Sequence, residues 1–154
     1  PPNFSPITAI AFCSGIWFLR KSWLFLIPFV VIYFTDLYIG LYEGISFTYF
    51  AYILIFSLGA LFSSIELGSK TKNAFSFIVA NISASVIFFG ISNLGVWWAT
   101  PLYSTDLQGL VECFILAIPF YPNTLVSQVL YATVIQLSAT YLILPALKKQ
   151  TSRA

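Results

Sequence analysis

The chain has 154 residues, 59% of them hydrophobic and 8% charged, with seven basic and five acidic side chains. Soluble domains carry about 25% charged residues, and so few charges cannot cover a water-facing surface of this size. A cytosolic enzyme, a nucleic-acid binder with a basic face and a disordered tail are therefore excluded, and an integral membrane protein remains.

Apolar runs separated by short polar breaks organise the chain. The first is 5–19, ended by Arg20, Lys21 and Ser22; the second is 23–41, before Glu43 and Gly44. The third is 46–65, the fourth 74–92, with ELGSKTKN between them. An irregular stretch, 93–106, follows, containing Gly95 and Pro101. A short run, 107–118, leads to Pro119 and Pro122, and a last run, 124–146, precedes the tail LKKQTSRA. A helix rises about 1.5 Å per residue against a hydrocarbon layer about 30 Å thick. Runs of about 19–23 residues can cross it, whereas 107–118 reaches only about 18 Å. The runs are continuously apolar instead of alternating, which favours helices over a β-barrel. The expected fold is an all-α membrane bundle of about five spans, with one short re-entrant or interfacial helix at 107–118. The chain lacks methionine even at position 1, so residues 1–154 are expected to be a single, N-terminally truncated transmembrane domain whose parent has six spans.

If the spans alternate and 107–118 stays on one side, Arg20, Lys21, Lys70, Lys72, Lys148, Lys149 and Arg153 share one face. The other face has Glu43 and Asp106 and no Lys or Arg. This is the positive-inside pattern, and it places the protein in the inner (plasma) membrane with a cytoplasmic C-terminus. Trp17 and Trp23 flank the inner break, and Trp97 with Trp98 stand at the outer end, the headgroup levels that indoles favour.

The chain has no histidine and two cysteines. Triad chemistry and the usual metal ligand are absent, and Cys13 and Cys113, isolated in apolar runs, read as small buried hydrophobes. No phosphate-binding loop, dinucleotide fingerprint or HExxH motif occurs. No enzymatic activity, catalytic residue, metal or cofactor is expected, and uphill transport would draw on an ion gradient or another subunit.

Polar groups inside a membrane are costly unless paired, which makes them functional suspects. Asp36 is the one acid within a spanning run, about 7.5 Å from its outer end. It reads equally as a carboxylate reaching interfacial water and as a ligand or helix-pairing group. Asn81, among Ala80, Ser83, Ala84 and Ser85, reads as glue between helices. Gln128 and Gln136 lie two turns apart and form a polar seam or bridge helices. Asn93, Trp97, Tyr103, Tyr121 and Asn123, beside the breaks at Gly95, Pro101, Pro119 and Pro122, form the densest aromatic and amide set. Such a set suits a flat, mostly neutral small molecule, with outer structural loops as the competing reading.

Pro2-Asn3-Phe4-Ser5-Pro6-Ile7, Ala9-Ile10-Ala11 and Ser14-Gly15 resemble the start of a bacterial membrane family, DUF6580. Thr35-Asp36 with Gly40, Asn93-Leu94-Gly95-Val96-Trp97, Ala117-Ile118-Pro119-Phe120, and Asn123-Thr124 with Tyr131 continue the resemblance in family order. That family is likened to the substrate-binding S components of energy-coupling factor transporters. The resemblance implies about six spans with both ends inside, a small-molecule substrate, and an energising membrane subunit with ATPases as partner. An acidic residue tends to follow the family's Asn-Thr pair where this chain has Gln128. The expected function is a substrate-binding subunit of an importer, embedded in the lipid bilayer and without nucleic-acid partners. The alternative is a structural or assembly subunit without a ligand. The expected substrate-binding residues are Asp36, Asn93, Trp97, Tyr103, Tyr121 and Asn123, with Asn81 and Gln128 packing helices.

Overall fold

The structure, a computed structural model, describes residues 2–18, 26–64 and 70–143. Among them, helix is the only regular structure. The helices are α1 (Ile7–Phe18), α2 (Ile27–Ile39), α3 (Ile45–Ser64), α4 (Lys70–Ala99), α5 (Leu107–Ala117) and α6 (Tyr121–Ser138). A 3-10 turn, Ile118–Phe120, joins α5 to α6, and a π turn, Ala139–Ile143, follows α6. Arg20, Lys21, Trp23, Lys148, Lys149 and Arg153 lie outside the described residues, as do the side chains of Lys70 and Lys72.

Local chemistry sets several helix ends. The Ser5 hydroxyl oxygen accepts the Ile7 amide at 3.3 Å before α1, occupying one of the amides a helix start leaves unpaired. The first turn of α2 holds Pro28, where no backbone donor is needed. Its last turn closes on Gly40, whose φ of 114° favours glycine, and whose amide donates to the Asp36 carbonyl at 2.8 Å.

Side-chain pairs give each helix its direction. Asp36 meets Tyr49 and Phe29 meets Phe56; Tyr52 meets Phe88 and Phe62 meets Phe77; Asn81 meets Gln128 and Ser85 meets Tyr121. In each case rising numbers face falling ones, so α2–α3, α3–α4 and α4–α6 are antiparallel. Cys13 meets Ala132 and Trp17 meets Gln136, which makes α1 and α6 parallel. Helices α1 to α4 thus alternate in direction, and α6 runs parallel to α1. The upper end carries the start of α1 and the α2–α3 and α4–α5 turns. The lower end carries Phe18, Ser64, Lys70 and Ile143.

Three helical stretches are long and apolar enough to cross a membrane: Ile45–Ser63, Asn73–Ala99 and Leu107–Leu142. Ile7–Trp17 and Phe29–Tyr38 are shorter apolar helices. Large apolar side chains such as Ile53, Leu61, Phe75, Val86, Leu116 and Val134 cover the outside, the surface that lipid would solvate.

Two expectations are corrected. The run 107–118 does not re-enter and return. The backbone stays right-handed helical at Ala117 (φ −82°, ψ −23°), Ile118 (−50°, −44°), Phe120 (−90°, −19°) and Tyr121 (−59°, −41°). Along α4, Trp97 faces Ser104, Phe89 faces Phe114, and Asn81 faces Gln128, so α5 and α6 descend in one direction. The stretch 93–106 is also more regular than expected, because α4 continues to Ala99. Gly95 is not a break there: a methyl at this position would stand 2.6 Å from the Phe47 Cβ, so its small size admits α3.

Short α1 occupies the centre. Ala9, Ala11, Phe12 and Cys13 are buried with Ile55, Ala84 and Ala132, as expected for a helix apolar on every side. Gly15 seats between Phe56 and Ala60 of α3, and Gly59 between Phe12 and Ile16 of α1. A Cβ at either glycine would collide with the facing carbonyl oxygen, so the two backbones touch, the close approach that small residues permit between membrane helices.

Candidate functional site

The six expected binding residues all occupy the upper half, on two separate seams. On the α2–α3 seam, the Tyr49 hydroxyl donates to Asp36 Oδ2 at 2.8 Å. On the α4–α5–α6 seam, the Asn93 side-chain amide donates to the Phe89 carbonyl one turn earlier, at 2.7 Å, and the Cys113 thiol lies 3.5 Å from the Asn93 carbonyl. The Trp97 indole donates to the Ser104 carbonyl at 2.9 Å. Tyr121 shares a 3.2 Å hydrogen bond with Ser85 and packs edge-on against Phe89, with ring centroids 5.1 Å apart. Asn123 reaches the Pro2 carbonyl at 3.0 Å, and Tyr103 lies half-buried in the α4–α5 turn. Ser85 and Trp97, the α4 positions facing Tyr121 and Ser104, are twelve residues apart, about 18 Å along a helix. Tyr121 and Trp97 therefore do not wall one pocket.

Deeper in the bundle, the Gln128 side-chain amide donates to Asn81 Oδ1 at 2.9 Å, and Asn81 Nδ2 donates to the Phe77 carbonyl at 2.8 Å. Both residues are fully buried, and Ser85, Thr124 and Ser127 are buried with them. Gln128 Oε1 is buried with no hydrogen-bond partner, an unmade bond of a kind proteins rarely tolerate. Gln136, two turns on, bridges to α1 and accepts the Trp17 indole N–H at 3.1 Å, so both glutamines join helices.

Two cavities lie elsewhere. An apolar groove of about 480 Å³ runs between α4 and α5 beside Phe89, Leu94, Leu110, Phe114 and Ile118. At the lower end, a cavity of about 410 Å³ sits among Phe62, Asn73, Phe77, Thr133 and Gln136. None of the six expected residues lines either one. Sequence reasoning passed over the lower cavity although Gln136 stood out, because its other walls are ordinary phenylalanines and small polar residues.

Electrostatics outside the spans are simple. The Asp106 side chain caps α5, accepting from the Gly109 amide at 2.8 Å and the Ser104 hydroxyl at 2.7 Å. These bonds hold its carboxyl below the ordinary carboxylate value. Burial raises the Tyr42 phenol above its usual value; a hydrogen bond with Thr48 opposes this, and the Asp36 carboxylate adds to it.

Alternating apolar helices, an outward apolar surface and a polar seam confined to the interior define a membrane-compatible helical bundle. The chain matches the sequence model of DUF6580, a family of unknown function, over residues 1–150, and belongs to that family. No curated protein and no solved structure matches it.

Proposed function

We propose that the chain is a multi-pass membrane protein of five crossings that serves as the substrate-binding subunit of a small-molecule importer. It works in the plasma membrane with its C-terminus in the cytoplasm, beside an energising membrane subunit and its ATPases. The observation that carries the reading is the Asn81–Gln128 pair, where a fully buried acceptor, Gln128 Oε1, is left unanswered inside the bundle. A polar group in that position is costly for structure alone and suits a substrate donor. A ligand screen by thermal shift on the detergent-purified full-length protein tests the proposal. A ligand at 100 times its Kd adds about 2.7 kcal/mol, and Gln128→Leu, which removes the unanswered acceptor, weakens its binding by about 1–3 kcal/mol. Binding that is indifferent to the Gln128 substitution removes the Asn81–Gln128 pair as the site.

A second reading, a structural subunit without a ligand, has its own support. Asn93, Trp97 and Asn123 spend hydrogen bonds on backbone carbonyls of the same chain. Co-purification separates the two: an ATPase module in the isolated complex favours the importer, and a stable complex without one favours the structural subunit.

A further inference from the structure

We propose that Asp36, rimmed by Tyr33, Tyr42, Tyr49 and Tyr52, is a binding site for a small organic cation, such as a primary or quaternary ammonium group. The site is separate from the Asn81–Gln128 pair that carries the importer reading, and its test does not depend on that reading.

Position is the first argument. Asp36 lies in the last turn of α2, and the Gly40 amide closes that turn on the Asp36 carbonyl. A helix C-terminus carries partial negative charge and favours cations, so a carboxylate there is electrostatically misplaced. Its hydrogen-bond partner is the neutral Tyr49 phenol at 2.8 Å, which satisfies a lone pair without cancelling the charge.

Distance from the protein's own cations is the second. Tyr52, one turn beyond Tyr49, stacks on Phe88 of α4, with centroids 5.7 Å apart and planes 15° apart. Lys70, at the foot of α4, is 18 residues below Phe88, about 27 Å along the helix. That is well beyond the screening length of about 8–10 Å in physiological salt. Lys72 stands 16 residues below Phe88, about 24 Å, and the remaining basic residues lie outside the described residues. Among the described residues, Asp36 therefore has no basic partner.

The rim supplies the third. Tyr49 and Tyr52 meet edge-on, with centroids 6.2 Å apart, and the Phe88 stack holds the Tyr52 ring in place. Tyr42 is close enough to Asp36 for the carboxylate to act on its phenol. Tyr33 stands one turn before Asp36, on the same face of α2. Tyr33 is 50% and Tyr42 48% exposed while Tyr52 is buried, so Tyr33 and Tyr42 form the outward opening and Tyr52 the floor. Ring faces attract large, weakly hydrated cations, whereas a calcium-like ion needs six or more oxygen ligands, and one carboxylate does not furnish them.

Free ammonium compounds and amine-bearing lipid headgroups share this chemistry. Full-length protein in phosphatidylglycerol nanodiscs is titrated with choline and, separately, with 3,3-dimethyl-1-butanol, its uncharged isostere, by calorimetry and thermal shift. Choline is expected to bind and raise the melting temperature, and the isostere to do neither. Asp36→Asn raises the choline Kd at least tenfold, and Tyr42→Leu at least threefold, with the unliganded melting temperatures unchanged. Repeating the titration in phosphatidylethanolamine nanodiscs separates the sources. Retained choline binding assigns the site to a soluble cation, and binding lost there assigns it to the headgroup. Equal effects of choline and its isostere, or choline binding unaltered by Asp36→Asn, overturn the proposal. If Asp36→Asn does not fold, the choline–isostere comparison on the unmodified protein decides alone.

Discussion

A single methyl group tests the α1–α3 crossing. In a helix interior, Gly→Ala gains roughly 0.8–1 kcal/mol of propensity, so a glycine with free space around it is improved by the change. Gly90 is such a position, with nothing within 4 Å of its would-be Cβ. Gly15 and Gly59 are the opposite. A Cβ on Gly15 would collide with the Phe56 carbonyl oxygen and stand 2.9 Å from the Ala60 amide nitrogen; one on Gly59 would collide with the Phe12 carbonyl oxygen and stand 3.3 Å from the Ile16 amide nitrogen. Every atom struck is backbone, so no side chain can rotate away and the two helices must separate. Overpacking typically costs about 1–3 kcal/mol, and rigid backbone on both sides puts these positions at the upper part of that range. After the propensity gain, Gly15→Ala and Gly59→Ala should each destabilise by about 1–2 kcal/mol. The double variant should cost less than the sum of the two, because one separation of α1 from α3 makes room for both methyls. Thermal unfolding of the three single variants and the double in detergent gives the ranking. Gly15→Ala and Gly59→Ala melting at or above the unmodified protein, alongside an unremarkable Gly90→Ala, would refute the backbone-contact account of α1.

Asn81→Leu removes the acceptor of the Gln128 amide at 2.9 Å and should cost roughly 0.6–2 kcal/mol. Asn81→Leu with Gln128→Leu should recover part of that loss, since no buried polar group is then left unpaired; unfolding of the double-mutant cycle reads it. The Asp106 cap bonds depress its folded pKa, so their stabilisation is full above the unfolded value near 3.9 and is lost as pH falls through the folded pKa. Protection factors over 107–110, with the intrinsic exchange rate at each pH divided out, should therefore fall in acid, and Asp106→Asn, which caps without titrating, should flatten that dependence. A cysteine placed beside Lys149 should react with impermeant reagents only from the cytoplasm, and one at Tyr103 only from outside; the reverse pattern inverts the topology.

How much the sequence revealed differed by feature. The apolar runs 46–65 and 124–146 were legible because each contains enough uninterrupted apolar residues to span, and α3 and α6 lie within or close to them. The central position of α1 was not, although Ala9, Ala11, Ser14 and Gly15 are all small. Which helix a small residue admits depends on Gly59, 44 positions away from Gly15, and no local pattern links them. The candidate binding residues show the same limit. Asn93, Trp97 and Asn123 stood out as polar side chains near apolar runs, but their partners are the carbonyls of Phe89, Ser104 and Pro2. Every residue offers a carbonyl, so composition carries no sign of where these amides and indoles are satisfied. Asp36 was visible as an acid in an apolar run, while its tyrosine rim appears only when α2 and α3 pack antiparallel.

The misreading of 107–118 follows from treating each run as an independent rod. Twelve residues cannot cross about 30 Å, and two prolines after them look like a stop. A proline ends a helix when it removes an amide that the preceding turn needs. Here Pro119 and Pro122 fall in the opening positions of the 3-10 turn and of α6. The tighter turn between Ile118 and Phe120 changes the hydrogen-bond pattern, so each proline takes a position where its missing donor costs little. Backbone dihedrals stay helical through the joint, and α5 becomes the upper part of the last descent. The upper end is thereby closed by an α4–α5 hairpin, with Trp97 tied to Ser104 and Asp106 capping α5. Because α5 and α6 descend as one leg, the chain arrives at Ile143 on the end where α4 began at Lys70. No loop that dips in and returns is needed to bring Ile143 to that end.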